Sequence, residues 1–475
     1  MMNVATGEDL FALALDRHKS GSLTEAEAAY RALLDDAPDH AGGCHGLGAL
    51  LFQRGNLEDA RILMERAVDL DRTNAAFRYN LSLALCGLGQ LEEAAAALKQ
   101  AASIAPDYFD AHNNLGLILK DLGRLEEAEA ALVRAVQINP SHPVGHNNLG
   151  LVKRLSGQSG DAEDSFRKAI ELNPAYAEAF NNLAGMLVQN GRTNEAEEFF
   201  RRALAARPGY LSATLNLAGM LHATGRTSEA ATLYREVLKK DPNHPIASHL
   251  LNALEGRTTD KAPAAYVASL FDGYAGHFDS HLTGTLGYEV PGLMRRIWSE
   301  SRLELPRFPL VVDIGCGTGL CGEAFRDVAG TLIGVDLSHK MLSEADARDV
   351  YDTLEEADAI GFLESLGESI DLALAGDVLI YLGDAEPLFR ALANQVTPDG
   401  GVLLSIEASD EPAYALQETG RYAHNLGDLL SLAESYGFSN VRTETCPIRT
   451  GSDGNPIEGH ILLLQRRGRT MNAVN

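Results

Sequence analysis

The chain has 475 residues, 45% of them hydrophobic, which allows about two to four domains with real cores and excludes wholesale disorder. Its formal net charge of -26 repels phosphate backbones and sets nucleic acid aside as a partner. The five cysteines, Cys44, Cys86, Cys316, Cys321 and Cys446, are scattered and odd in number, which suits reduced thiols in a cytoplasmic setting and completes no zinc set.

The first residues, MMNVATGEDL, have no basic or apolar leader pattern, so no signal peptide is expected. No run of about 18 apolar residues occurs, so no membrane span is expected either. A repeat then takes over. Pro38, Pro106, Pro140, Pro174, Pro208 and Pro242 fall on a 34-residue beat, with Arg72 at the one missing step. Gly21, Gly55, Gly89, Gly123, Gly157, Gly191 and Gly225 keep the same beat, as do Ala26, Ala60, Ala94, Ala128, Ala162, Ala196 and Ala230. Each of the seven units reads as two helices. In the fourth, FDAHNNLGLILKDLG stops at Gly123 and RLEEAEAALVRAVQINP stops before Pro140. A capping helix is expected at 245–256, which closes an array over 7–256. One column, Asn80, Asn114, Asn148, Asn182 and Asn216, lies opposite the apolar stripe. These amides could hold the backbone of an extended peptide, or they could bond a neighbouring helix.

This register resembles the tetratricopeptide (TPR) repeat. The resemblance implies an all-α superhelix of helical hairpins with a concave face that binds a protein or peptide. The asparagine column is similar to the ladder of TPR-bearing glycosyltransferases.

A polar stretch, 257–264, reads as a linker, and 265–470 reads as a second domain that alternates helix and strand. After a helical stretch over 265–300, PLVVDIG is a buried strand, GLCGEAFRDV a helix and TLIGVD a strand. A weak strand is expected near 356–360, with further strands at IDLALAG and GGVLLSIE. SNVRTETC and GHILLLQRR close the domain as an antiparallel pair. The implied fold is an open, mostly parallel α/β sheet with ligands at the carboxyl ends of its strands.

VVDIGCGTGLCG carries two overlapping patterns. G-x-G-x-x-G falls on Gly317, Gly319 and Gly322, and D-x-G-x-G-x-G on Asp313, Gly315, Gly317 and Gly319. If Gly317 opened a dinucleotide loop, Asp313 would be buried beneath a pyrophosphate, which is costly. If Gly315 opens the loop, Asp313 stands at the strand's end and faces a cationic ligand. That choice leaves Gly322 as a small residue where helix packs on strand.

With that choice the stretch resembles motif I of class I S-adenosylmethionine (SAM) methyltransferases, whose fold is a Rossmann-like, mostly parallel seven-stranded sheet. The resemblance implies SAM as cofactor. It implies Asp336 for the ribose, Leu337 and Met341 beside the adenine, and Asp358 for the adenine amine. In DLALAGDVLIYLGD it brings Asp377 and Tyr381 into the site, and on the segment before the first strand it makes Tyr274 a cofactor contact. His424, expected in a loop at the site mouth, and Tyr381 are candidates for the base, with Asp377, His277 and Tyr274 behind them. The whole pattern is similar to bacterial fusions of TPR repeats to a methyltransferase, with LFDGYAGHFDSHLTGTLGY and GRYAHN as group signatures. The expected activity is methylation of a protein or peptide recruited by the array, without a metal. A small-molecule methyltransferase whose array serves assembly, or a scaffold without activity, remain alternatives.

Overall fold

The computed structural model describes residues 6–272, 279, 288–301, 307–450 and 455–468. By its internal contacts the chain divides into two units, Met1–Met220 and Leu221–Asn475. Among the described residues no helix is long and apolar enough to cross a membrane.

The first unit is a stack of helical hairpins. Helices α1 (Gly7–Lys19) to α12 (Thr193–Ala206) alternate between 13 and 14 residues, and α13 (Leu211–Ala223) opens the seventh pair. The beat has two physical causes. Within each hairpin the first helix ends on a glycine with positive φ, such as Gly123 at 73°, a conformation that side chains resist. Inside each hairpin the helices touch through small residues. A Cβ at Gly150 on α9 (Pro143–Leu155) would stand 2.8 Å from the ring of Phe166 on α10 (Ser159–Leu172). Leu132, Ala128 and Ala135 are fully buried in the same way. One hairpin alone could not cover that apolar surface, but its neighbours do.

The second unit begins with the end of α13, then α14 (Thr227–Lys240) and α15 (Pro245–Leu254). Two helices, α16 (Ala264–Asp272) and α17 (Val290–Glu300), precede the sheet. The sheet elements are β1 (Phe308–Ile314), β2 (Ala329–Asp336), β3 (Thr353–Glu356), β4 (Ile370–Ala375), β5 (Val396–Ala408), β6 (Tyr414–Leu416), β7 (Tyr422–His424), β8 (Phe438–Thr450) and β9 (Pro456–Arg466). Helices α18 (Leu320–Phe325), α19 (His339–Asp346), α20 (Ala359–Ser365), α21 (Glu386–Gln395) and α22 (Leu426–Ser435) connect them.

Strand order is β3-β2-β1-β4-β5-β7-β6, with β9 antiparallel between β5 and β8. Strands β1 to β5 run parallel, and β1 and β4 are buried on nearly every residue, as central parallel strands must be. Among the described residues the sheet thus has nine strands rather than seven, because the short β6–β7 hairpin extends the β5 side. The weak strand also falls earlier than expected. It is β3, and Ala359–Ser365 is helical because the Asp358 carboxylate caps it, accepting from the backbone N–H of Ile360 and Gly361.

The polar stretch after α15 is held in place. Thr259 and Tyr422 share a hydroxyl hydrogen bond of 2.6 Å, Asp384 N–H donates to Asp260 O at 2.7 Å, and Ala262 N–H donates to Tyr381 O at 3.0 Å. A bridge joins Lys261 and Leu382. These residues form a strap across the β4 and β7 ends of the sheet.

Candidate active site

A cleft of about 170 Å³, partly open to solvent, lies at the carboxyl ends of β1, β2 and β4. Its floor is the loop after β1. Gly315, Gly317 and Gly319 have φ of 63°, 54° and 95°, so the loop turns through conformations that only glycine enters cheaply. A Cβ at Gly315 would stand 2.8 Å from Val378 Cγ2, closing the approach to the loop. Gly315 and Gly317 line the cleft, with Thr318 and Leu320 on either side of Gly319.

Asp336 ends β2 and lines the cleft. Its Oδ2 accepts from Gly317 N–H at 2.9 Å and its Oδ1 from Ser338 N–H at 2.8 Å. The carboxylate therefore ties the glycine loop to β2 and keeps lone pairs for a ligand. Burial raises its pKa, and the backbone N–H groups oppose that. Leu337 and Asp358 line the same end. Asp358 spends one oxygen on its cap, and its other oxygen has no hydrogen bond among the described residues.

Met341 departs from expectation. It is fully buried on α19 and is not on the cleft wall, because its N–H donates to Ser338 Oγ and turns the helix's apolar face inward. Asp313 departs more. It is 1% exposed and off the cleft wall, and its Oδ2 accepts from the Tyr351 hydroxyl at 2.6 Å. Burial raises its pKa to about 7, against hydrogen bonds from Tyr351 and the Gly322 backbone. The carboxylate points beneath the glycine loop instead of at the ligand, since three small positions leave that space for Tyr351. A Cβ at Gly319 or Gly334 would meet the ring at 3.0 or 2.9 Å, and one at Gly322 would overlap it. Gly322 is thus small to admit Tyr351, rather than to pack helix on strand. Tyr351 carries no motif of its own. Gly322 and Gly334 were the available signal.

Beyond β4, Asp377 holds a φ of 57°, which a non-glycine residue adopts at a cost. Its N–H donates to Ser405 Oγ at 2.8 Å, and Ser405 donates back to Oδ1 at 3.0 Å. Arg449, whose side chain is 3% exposed, lies 3.5 Å from Asp377 Oδ2 and pairs with the buried Glu407. Asp377, Tyr381 and Arg449 all line the cleft. Tyr381 is buried and meets Phe271 edge-on at 5.5 Å between ring centres. Neither Glu407 nor Arg449 was found from the sequence, because a lone charge in the strands β5 and β8 reads as a solvated edge.

His424 is not at the mouth. It sits in β7, 1% exposed and off the cleft wall, with Nε2 donating to Gly383 O at 3.1 Å. Burial lowers its pKa, so the ring stays neutral and has a structural partner. Tyr274 and His277 lie outside the described residues. Among the described residues no group of three or more His, Cys, Asp or Glu side chains could hold a metal ion. Cys316 and Cys321 line the cleft as thiols whose pKa burial pushes well up.

The asparagine column is hydrogen-bonded within the array. Asn148, Asn182 and Asn216 donate to Asn113, Asn147 and Asn181 of the preceding repeat at 2.9, 2.9 and 3.0 Å. Asn114 donates to the Tyr79 hydroxyl at 3.1 Å, and Asn80 meets His45 Nε2 at 2.6 Å. Asn147 and Asn113 donate onward to Asn148 and Asn114, so a chain of amides runs through the stack. The column is therefore not a row of free amides.

Comparison with known proteins bears on both halves. A methyltransferase-domain family matches residues 312–404. Tetratricopeptide-repeat families match 11–75, 83–123, 109–142, 148–210 and 187–254. The chain joins a TPR array to a class I SAM-dependent methyltransferase domain. A ubiquinone biosynthesis O-methyltransferase of Ralstonia nicotianae is 29% identical over 171 residues, which is 32% of this chain and 70% of that protein. One from Cupriavidus pinatubonensis is 31% identical over 118 residues, 23% of this chain and 46% of its own. The crystal structure of the MamA protein is 25% identical, with a TM-score of 0.34, and covers 36% of this chain and 94% of its own. The methyltransferase domain fits its cofactor. The glycine cradle that a Cβ at Gly315 would fill, the remaining lone pairs of Asp336 and the second oxygen of Asp358 suit an adenosyl group.

Proposed function

We propose that the methyltransferase domain methylates an acceptor in the cleft beyond β4, and that the TPR array brings a protein or peptide to it. The observation that carries this is Asp377, a carboxylate held at φ 57° by Ser405 on the cleft wall. Such strain persists at sites where geometry matters. Bound SAM supplies an electrophilic methyl group on a sulfonium. Gly315, Gly317, Asp336, Leu337 and Asp358 hold and orient it. Asp377 orients the acceptor and takes its proton where the nucleophile must lose one. Tyr381 and Phe271 form an apolar wall that excludes water. His424 has no part in proton transfer, since it is buried in β7 and off the cleft wall. The amide chain stiffens the array, and a peptide ligand meets the side chains that flank it.

A small-molecule acceptor is the second reading, favoured by the likeness to ubiquinone biosynthesis O-methyltransferases. One experiment separates the two. Lysate of cells lacking this protein is incubated with the full chain and tritiated SAM, and protein and small-molecule fractions are counted separately. Label in protein supports the first reading. Label confined to small molecules refutes it, and no label above an Asp336→Ala control refutes both.

A further inference from the structure

The run Gly420-Arg421-Tyr422-Ala423-His424-Asn425 lies at the β6–β7 hairpin, and five of its six residues have structural work. Gly420 has a φ of 79°, and a Cβ there would stand 2.9 Å from Leu250 and 3.0 Å from the Tyr266 hydroxyl. Its carbonyl accepts from His249 Nε2 at 2.9 Å, and the neighbouring Glu418 carbonyl accepts from His222 Nε2 at 2.7 Å. Tyr422 is fully buried and bonded to Thr259, and Ala423 is buried in the pairing with β5. His424 holds Gly383, and Asn425 caps α22 by accepting from Asp428 N–H. Arg421 gives only its carbonyl to the hairpin, accepting from Gln417 N–H at 2.8 Å, and its side chain has no such role. Its side chain lines the cleft and has no carboxylate partner among the described residues.

Lys261 repeats the pattern on the strap. Its backbone bridges to Leu382, while its side chain lines the same cleft, also with no carboxylate partner among the described residues. Both cations stand on the β4–β7 side of β1, across the sheet from Asp336 and Asp358, which end or follow β2 and β3. A third cation, Arg449, lines the cleft as well. Its guanidinium is nine-tenths buried, and its Nε has no hydrogen-bond partner. Asp377 and Glu407 outweigh that one guanidinium, and Lys261 and Arg421 together reverse the balance, so this end of the cleft is cationic in a chain whose net charge is -26.

We propose that Arg421 and Lys261 bind an anionic group, a carboxylate or a phosphate, on the methyl acceptor. The inference rests on the reading of the cleft as the methyltransferase site. Arg421 presents a planar fork to two oxygens, and Lys261 a point charge on a long stem. The anion is held apart from the reacting atom, which stays with Asp377.

The test uses the full chain saturated with S-adenosylhomocysteine, whose own binding is measured first by calorimetry. Absence of that binding would sink the methyltransferase reading itself. Benzoate, phenyl phosphate, phenol and tyramine are then titrated into the loaded protein. Benzoate or phenyl phosphate is expected to bind at least tenfold more tightly than phenol and tyramine, and whichever binds more tightly identifies the anion. The double variant Arg421→Gln, Lys261→Gln should lose that preference and keep its S-adenosylhomocysteine affinity within twofold, while Arg421→Lys should retain part of it. The proposal is overturned if all four probes bind alike, if none binds, or if the double variant loses S-adenosylhomocysteine tenfold. That last result would assign the two cations to the cofactor's own carboxylate.

Discussion

Replacing Asp313 with asparagine gives the sharpest test of the site's electrostatics. Asp313 is fully buried under the glycine loop, and its pKa rises from a usual 3.8 to about 7. The sign follows from proton linkage. Between those two values the folded chain holds a proton that the unfolded chain has released, so stability falls as pH rises. The contribution is intact below pH 4 and fully lost above pH 7. A shift of this size corresponds to roughly 4 kcal/mol, of which about 2 to 3 kcal/mol develops between pH 5 and pH 8. An asparagine at this position would have no charge to bury, and its amide oxygen could still accept from Tyr351. Trp298 is the chain's one tryptophan and packs on Phe308 and Phe325, so its fluorescence reports this domain and not the array. Urea unfolding followed at Trp298 should show Asp313→Asn gaining on the parent by about 2 kcal/mol from pH 5 to pH 8. An equal difference at both pH values would refute the burial argument.

Three further outcomes follow from the same geometry. Gly322→Ala should cost about 1 to 3 kcal/mol by the same fluorescence assay, because the new methyl overlaps the Tyr351 ring, and adding Tyr351→Ala should remove that conflict. Asp336→Ala should weaken S-adenosylhomocysteine at least tenfold in calorimetry, whereas His424→Gln should leave that affinity and the pH–rate profile unchanged, since His424 is off the cleft wall. Asn148→Ala removes a donor to Asn113 and an acceptor from Asn147, so the array should lose about 1 to 3 kcal/mol in helical unfolding followed by circular dichroism.

The repeat was legible because its cause is local. A glycine that must take positive φ and an alanine that must admit a neighbouring helix recur wherever the backbone does the same thing. The α/β pattern and the glycine loop were legible for the same reason. The misplacements within the site all concern where a side chain points, which depends on partners distant in sequence. Asp313 turns away from the ligand because Tyr351, 38 residues on, offers it a hydroxyl. His424 turns inward because Gly383 offers a carbonyl 41 residues back. Met341 sits at the expected helical spacing, and only the packing of α19 decides that it faces the core. The asparagine column was correctly seen as a row, but its partners stand 35 residues earlier, in a helix that periodicity alone does not put in reach.

The strap bears on how the cleft is built. Residues 257–264 look like a linker by composition, yet they bring Lys261 and Ala262 to the cleft wall and tie the turn after β4 to the β6–β7 hairpin. The hairpin in turn takes hydrogen bonds from His222 and His249, which belong to the last helical hairpin and its capping helix. Removal of residues 1–256 would leave the Gly420 carbonyl without its donor and uncover Tyr266, whose ring centre lies 4.7 Å from that of His249. Because Arg421 rides on that same hairpin, such a truncation disturbs the cleft wall as well as removing the array. Loss of methylation in the truncated chain would therefore say nothing about recruitment. Substitutions along the array that leave His222, His249 and α14 intact are the change that isolates what the repeats bind.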